Sequence, residues 1–194
     1  MPFFFKIVSL LYLFKILIFN SICAASIDNN FDDWLNSYKK NALKKGISQE
    51  TINIVFKEVK FLEKVIKYDR KQPEFFEDTI TYVKKRATIN RANKAENLYR
   101  KNSQLFKKVE NEFNVEKEIL LALWGIETHF GKHVGKMDII SSLATLSFDK
   151  RRRDFFSSEL FILLKLVDKK IIDPSKLYGS WAGAYGNFQF MPST

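Results

Sequence analysis

The sequence predicts an all-α, predominantly helical fold, and three observations carry this prediction. Apolar residues recur at the three- and four-residue spacing of amphipathic helices almost throughout the chain after residue 30. Only Gly46 among the seven glycines precedes residue 125, so backbone breaks are scarce in the first two thirds. The length of 194 residues, with 46% hydrophobic and 15% aromatic residues, fits one globular domain plus a leader and excludes a large multidomain enzyme.

The first element is a leader of the secretory type. Lys6 precedes an apolar stretch from Ile7 to Phe19 that only Ser9 and Lys15 interrupt, and small residues follow to Ser26. This order predicts a signal peptide over residues 1–25, cleaved after Ala24 or Ala25. An uncleaved membrane anchor is the less favoured alternative, because Lys15 leaves the apolar run short of the ~20 residues that a spanning helix needs.

The cysteine content and the net charge then restrict the possible cellular compartments and binding partners. Cys23 is the only cysteine, so no intrachain disulfide can form; Ile22 before it argues against a lipid-modified cysteine. Export without structural cysteines predicts a bacterial periplasm. The 32 basic and 22 acidic residues give +10, and the 30 basic residues left after Ser26 still give +8. Such a surface favours polyanions: nucleic acid, anionic lipid or an acidic cell-wall polymer.

Helical stripes follow in order along residues 26–194, and we expect them to form the core. Their members are Phe31, Trp34, Leu35, Tyr38 and Ala42; Ile52, Val55, Phe56 and Val59; Ile80, Val83 and Ala87; and Phe155, Phe156, Leu160, Leu163, Leu164 and Val167. Between the last two, apolar residues from Ala95 to Phe113 predict one long helix or a helix pair, which Asn114 ends in a left-handed conformation. The helical scaffold is thus expected to reach about residue 115, with an active-site region over 116–194.

Glu127 is the candidate general acid. It ends an apolar helical stretch and is closely followed by Gly131. A carboxylic acid that loses hydration in such a setting has a raised pKa and can deliver a proton to a leaving group. The alternative is a structural glutamate that caps the helix or pairs with a nearby lysine.

Three other features leave alternatives open. His129 and His133 have a metal-like spacing, but no third ligand accompanies them, so we expect no metal. The basic cluster Asp149–Asp154 fits either local ion pairs at a helix start or contact with anionic substrate groups. The segment 178–194 is rich in glycine, aromatic and amide residues, which suits either a saccharide-binding wall or a packed loop.

Five ordered segments give the chain a family resemblance. They are Lys71–Phe75, Trp124–Thr128, Leu143–Ser147, Arg152–Leu160, and Gly179–Ala184 continuing through Gln189–Ser193. In these segments the chain resembles the membrane-bound lytic murein transglycosylase B family. The resemblance implies a lysozyme-like helical domain that cleaves the β-1,4 bond between N-acetylmuramic acid and N-acetylglucosamine in peptidoglycan and leaves 1,6-anhydromuramic ends.

The resemblance also implies the site residues. Glu127 falls on the family's single catalytic acid/base, and Ser180 on the serine that hydrogen-bonds its carboxylate. Gln189 matches a glutamine that lines the sugar groove, and Tyr185 stands beside it where members usually carry methionine. No cofactor is implied, and the family's calcium site matches no residue here.

The remaining expectations concern completeness and partners. Family members continue beyond the Met191–Ser193 segment, so the resemblance predicts a C-terminally truncated, incomplete domain. The alternative function is therefore a non-catalytic remnant that binds peptidoglycan. We expect glycan strands as the partner, no nucleic acid, and a monomer in the periplasm, with peripheral membrane association left open.

Overall fold

The computed structural model describes residues 30–71 and 77–194, and helices dominate both stretches. The predicted signal peptide, Cys23 and most of the Lys71–Phe75 segment lie outside the described residues. The described helices are α1 (30–44), α2 (Gln49–Val55), α3 (Glu63–Arg70), α4 (Thr79–Arg86), α5 (Ile89–Lys101), α6 (Ser103–Phe113), α7 (Lys117–Thr128), α8 (Ile139–Phe148) and α9 (Arg153–Asp168). Two-residue strands β1 (Met137–Asp138) and β2 (Tyr178–Gly179) pair antiparallel, and a 3-10 turn covers Pro174–Lys176.

Local side chains explain where several helices begin and end. Ser48, Asp78 and Asp138 each accept a hydrogen bond from a backbone N–H in the first turn of α2, α4 and α8. The stretch from Ala95 to Phe113 is a helix pair, since α5 ends at Asn102 and α6 begins immediately after it. Asn114 ends α6 in the left-handed conformation, with φ of 51°, as the sequence predicted.

The core is built around α8. Every residue from Ile139 to Ser147 is buried, which fits a helix that is apolar on nearly all sides. The buried face of α9, including Phe156 and Leu160, packs along α8. Aromatic rings of α1 close the other side, where Phe31 packs edge-on against Phe148 at 5.5 Å between ring centroids. The predicted stripes of α1, α2 and α9 are thus confirmed as core in large part.

The core prediction is wrong for α4. Ile80 and Val83 are 67% and 50% exposed, and Ala87 is exposed as well. An apolar stripe is buried only where a second element covers it, and no described element covers this one to a comparable extent. Amphipathic spacing therefore identified the helix correctly and its burial incorrectly.

A second group of helices precedes the loop that connects α7 to β1. The helices α5, α6 and α7 pack on one another, and α7 then delivers the chain to the loop before β1. The β1–β2 pair, in which Met137 lies opposite Gly179, brings the segment after residue 178 back to that loop. Within residues 30–71 and 77–194, no helix is long and apolar enough to cross a membrane.

Candidate active site

Glu127 lies in the last turn of α7, and its side chain is exposed. The helix stops because His129 adopts the left-handed conformation, and the N–H of Phe130 then bonds the carbonyl of Trp124 at 3.0 Å. The next residue after the glutamate, Thr128, is fully buried. At the end of the apolar helix, the Glu127 carboxylate is therefore open to solvent, whereas the next side chain, Thr128, is buried in the protein.

Asn187 fixes the end of α7 to the C-terminal segment. Its side-chain oxygen accepts a hydrogen bond from the Trp124 indole at 3.1 Å, and its main-chain carbonyl accepts one from the Thr128 hydroxyl at 2.8 Å. Trp124 and Thr128 are four residues apart and share a helix face, which Glu127 borders. Asn187 consequently holds its segment against the Trp124–Thr128 face of α7, next to the position of the candidate acid.

The loop after α7 is held in one conformation by several bonds. His129, Phe130 and Gly131 all have positive φ, at 51°, 60° and 80°. The Thr128 hydroxyl accepts a bond from the N–H of Gly131 at 2.9 Å, and the Thr128 carbonyl accepts one from the N–H of His133 at the same distance. The φ of Gly131 favours glycine, and a Cβ there would stand 2.8 Å from the Asn187 side-chain oxygen, so that a larger residue would displace the Asn187 side chain.

Ser180 is oriented by the turn that follows it. Its hydroxyl oxygen accepts hydrogen bonds from the backbone N–H groups of Ala182, at 3.3 Å, and Ala184, at 3.0 Å. A hydroxyl has two acceptor positions and one donor hydrogen, so these two bonds leave the hydrogen free to point at an external acceptor. No bond of Ser180 in the described chain reaches Glu127.

Tyr185 and Gln189 belong to one tight turn. The backbones of Tyr185 and Phe190 exchange hydrogen bonds at 3.0 and 3.1 Å, and burial raises the pKa of the Tyr185 phenol. The Gln189 side-chain nitrogen donates to the carbonyls of Val134, at 3.2 Å, and Gly186, at 2.9 Å. One of these bonds closes the turn on itself and the other ties it to the loop after α7, so only the amide oxygen of Gln189 remains for a ligand.

The desolvated setting expected for Glu127 is not formed by the described residues. Glu127 has apolar neighbours along the chain, but two of them, Leu123 and Ile126 of the same helix, are themselves exposed, at 43% and 49%. A stretch of apolar residues does not fix which face of its helix meets solvent. The structure therefore brings Ser180, Tyr185 and Gln189 onto the segment beside α7 while leaving the carboxylate open.

A metal site gains no support from the histidines. The rings of His129 and His133 lie 6.0 Å apart, and the left-handed His129 removes them from a common helix face. In the two described stretches, no group of three or more His, Cys, Asp or Glu side chains could hold a metal ion.

Part of the cluster Asp149–Asp154 forms an ion network with α3. Arg151 and Arg152 each contact a carboxylate oxygen of Asp69 at 2.8 Å, and the side chain of Asp69 is 1% exposed. Arg70 bridges Asp69 and Asp149, at 2.7 and 2.9 Å. Of the two alternatives for this cluster, ion pairing describes the observed contacts, but the partners are Asp69 and Arg70 of α3 and not local residues.

Sequence reasoning missed the residues that assemble the site. Asn187, Trp124 and Thr128 join α7 to the last segment, although none was a candidate. The available signal was chemical: a tryptophan N–H and a threonine hydroxyl four residues apart on one helix face both need partners when buried. The identity of the partner 59 residues away from Thr128 could not be read from that pattern.

Comparisons with known proteins show that this chain is similar to transglycosylases. The family model described as transglycosylase SLT domain matches residues 30–194. Membrane-bound lytic murein transglycosylase B of Escherichia coli K12 is 45% identical over 83 residues, which are 42% of this chain and 23% of that protein.

Solved structures agree with the family match. SltB3 of Pseudomonas aeruginosa, in complex with NAG-NAM-pentapeptide, superposes with a TM-score of 0.79 at 31% identity, over 84% of this chain and 44% of that one. Escherichia coli Slt35 with bulgecin A gives a TM-score of 0.69 at 30% identity, over 86% and 52%. This chain spans about a quarter of the curated relative and about half of the solved ones. The all-α, lysozyme-like fold class is confirmed.

Proposed function

This chain belongs to the transglycosylase SLT domain family, and on that premise we propose that it is a lytic murein transglycosylase acting on peptidoglycan through Glu127. The observation that carries the proposal is the placement of an exposed carboxylate at the end of α7, next to the segment that Asn187 fixes there. Ser180, Tyr185 and Gln189 lie on that segment, and the glycan would bind between it and the end of α7.

The proposed reaction needs one carboxyl group. The Glu127 carboxylic acid gives its proton to the glycosidic oxygen, and the bond from that oxygen to C1 of N-acetylmuramic acid breaks, which releases the N-acetylglucosamine hydroxyl. The resulting carboxylate takes the proton of the muramic C6 hydroxyl as its oxygen bonds to C1. The product is a 1,6-anhydro end, and no water is consumed. Most glycosidases instead pair two carboxylates across the bond.

The other candidate residues have assignable roles in this scheme. The free hydrogen of the Ser180 hydroxyl suits donation to the Glu127 carboxylate once substrate closes the groove, and such a bond stabilises the charged form. The phenol of Tyr185 and the amide oxygen of Gln189 provide the ring face and the acceptor that sugars use. In this scheme Tyr185 and Gln189 bind the sugar, Ser180 orients the Glu127 carboxylate, and Glu127 gives and takes the proton.

One observation favours the second candidate function, binding of peptidoglycan without turnover. Glu127 is exposed in this structure, so the described residues do not enclose the carboxyl group as the proposed proton transfer requires. Bound substrate that covers the carboxylate favours the enzyme, and a groove that stays open favours the binder.

The proposed function also requires that the chain be exported to the periplasm. Residues 1–25 would act as the signal peptide and deliver residues 26–194 as a monomeric catalytic domain to the periplasm, where murein is found. The relative in Escherichia coli is named membrane-bound, and association of this chain with the membrane surface is compatible with its basic charge.

The test is incubation of purified murein sacculi with the chain, followed by mass spectrometry of the released muropeptides. We expect products with 1,6-anhydro ends, reduced about 100-fold or more by Glu127→Gln and unchanged by Glu118→Gln, an exposed glutamate on the same helix. Sacculi that retain the protein without releasing products would identify the binder. Release that persists in Glu127→Gln would refute the assignment of the acid.

A further inference from the structure

An open groove lies between α5 and α7, away from the candidate glycan site. Its volume is about 540 Å³, within the range of roughly 300–1,000 Å³ that small-molecule pockets have. Its lining is mostly apolar and includes Ala92, Ala95, Leu121, Ala122, Ile126 and Phe130. At 3.6 residues per turn, Ala122 stands about 140° around α7 from Glu127. We call this feature the α5–α7 groove.

One positive charge in the α5–α7 groove has no counterion. Of the described charged residues that line the groove, all but one form ion pairs: Arg86, Glu96, Lys117 and Glu118. The exception is Arg91, which forms no ion pair with any residue of 30–71 or 77–194. The groove is therefore an apolar surface that carries one uncompensated guanidinium group.

The Arg91 side chain is packed into the protein and is only partly exposed. A Cβ on Gly125 would stand 3.3 Å from the Arg91 Cδ, so the arginine stem runs against α7. One terminal nitrogen, Nη1, donates to the Arg86 carbonyl, whereas Nε is buried and has no acceptor in the described chain.

This environment favours an external anion. A cation without a counterion and a buried donor without an acceptor are both unfavourable in an apolar setting. The helix α5 begins at Ile89, which also lines the groove, so the positive end of the helix dipole lies in the same place. An acidic group in the groove would compensate the charge that the protein leaves unpaired.

We propose that the α5–α7 groove binds a small amphipathic anion, with an apolar tail and one carboxylate, of the fatty-acid type. The carboxylate meets the Arg91 guanidinium, and the tail lies along Ala92, Ala122 and Ile126. One uncompensated charge and a groove of this volume match a single small molecule and not a polyanion. This site is separate from the candidate glycan site and does not depend on the proposed function.

The test is isothermal titration calorimetry of the chain with three soluble probes. Octanoate has both the tail and the charge, octanamide has the same tail with a neutral head, and acetate has the charge alone. We expect octanoate to bind about tenfold more tightly than octanamide, and acetate not to bind. The preference for octanoate should shrink as salt rises.

Two variants locate the site. Arg91→Met keeps an unbranched stem and removes the charge, so it should bind octanoate and octanamide with equal affinity. Ala122→Phe places a ring in the groove and should weaken the binding of both probes about tenfold or more. The matched control is Lys101→Gln, at an exposed position of α5 outside the groove, which should bind octanoate like the unchanged chain.

Several outcomes would overturn the proposal. Equal affinity of the unchanged chain for octanoate and octanamide would remove the role of Arg91, and this comparison stands even if a variant does not fold. Binding that survives in Ala122→Phe would place the ligand elsewhere, and equal losses in Arg91→Met and Lys101→Gln would show an effect of net charge.

A second copy of the chain is the other occupant to test. Sedimentation equilibrium that shows a dimer, which Ala122→Phe dissociates, would assign the groove to self-association and overturn the proposal. A monomer at all concentrations supports it. Circular dichroism melting identifies which variants are folded.

Discussion

The buried carboxylate of Asp69 is the clearest place to test how this fold is held together. It accepts hydrogen bonds from Arg70, Arg151 and Arg152, at 2.7, 2.8 and 2.8 Å, and thereby fastens α3 to the start of α9. Asp69→Asn keeps the shape and removes the charge. The three guanidinium groups would then face a neutral amide that can satisfy fewer of their donors.

The magnitude follows from the exposure of the partners. Breaking a fully buried ion pair costs about 3–5 kcal/mol. Here the arginine side chains are 40–44% exposed, so water recovers part of that loss. We expect the free energy of unfolding to fall by about 2–3 kcal/mol, which corresponds to about 5–10 °C in Tm for a domain of this size.

The pH dependence has a definite sign. Burial alone would raise the pKa of Asp69, but the hydrogen bonds and charges of Arg151 and Arg152 outweigh it and hold the pKa below its ordinary value. The unfolded chain therefore binds this proton more readily than the folded chain. The stabilisation is complete above a pH of about 4 and is lost as pH falls through the lowered folded value.

Urea denaturation and calorimetry at pH 7 and at acidic pH check this prediction. The matched control is Asp32→Asn, at an exposed position of α1, which is expected to change the unfolding free energy by less than about 0.5 kcal/mol. If Asp69→Asn matched the control at pH 7, or if its deficit grew as pH fell, the reasoning would be refuted.

Two further predictions concern the segment that meets α7. Gly183→Ala is expected to destabilise the fold by about 2–4 kcal/mol in urea denaturation, because φ is +92° and the new Cβ would stand 2.4 Å from Leu143. The control Gly46→Ala has a φ of +91° and open space around it, so it should lose only the about 1–2 kcal/mol that the left-handed backbone costs. Equal losses in the two variants would contradict the steric argument. Trp124→Phe removes the indole donor to Asn187 and should lower the free energy of unfolding by about 0.5–1.5 kcal/mol. The variant should also be retained more weakly on murein sacculi in a pull-down. Unchanged retention would show that this bond does not position the segment.

Several features of the fold could be predicted because they are local. The period of the apolar residues predicted the helical class and located α1, α2, α4 and α9, and the conformational tolerance of asparagine placed the end of α6 at Asn114. The motif segments indicated the family, and the family match over residues 30–194 confirms it. The prediction of the signal peptide over residues 1–25 and the roles of Glu127 and Ser180 stay predictions until the experiments above are done.

The errors share one cause, which is that burial and pairing depend on distant residues. The stripe of Ile80 and Val83 has the same spacing as the stripe of α1, yet only the latter is covered. Glu127 follows an apolar helix, yet its face meets solvent. The arginines after Asp149 looked available to an anion, and a carboxylate some eighty residues earlier in the chain occupies them.

The sequence by itself determined the helical class and the end of α6 at Asn114, which depend on residues within a few turns of one another, and its motif segments indicated the family. Only the tertiary structure decided which apolar faces are core, that Asn187 joins the last segment to α7, and that Arg151 and Arg152 pair with the buried Asp69. The physical reason is that side-chain periodicity specifies a helix and the face it offers, whereas hydration and ion pairing are set by whatever the rest of the chain places against that face.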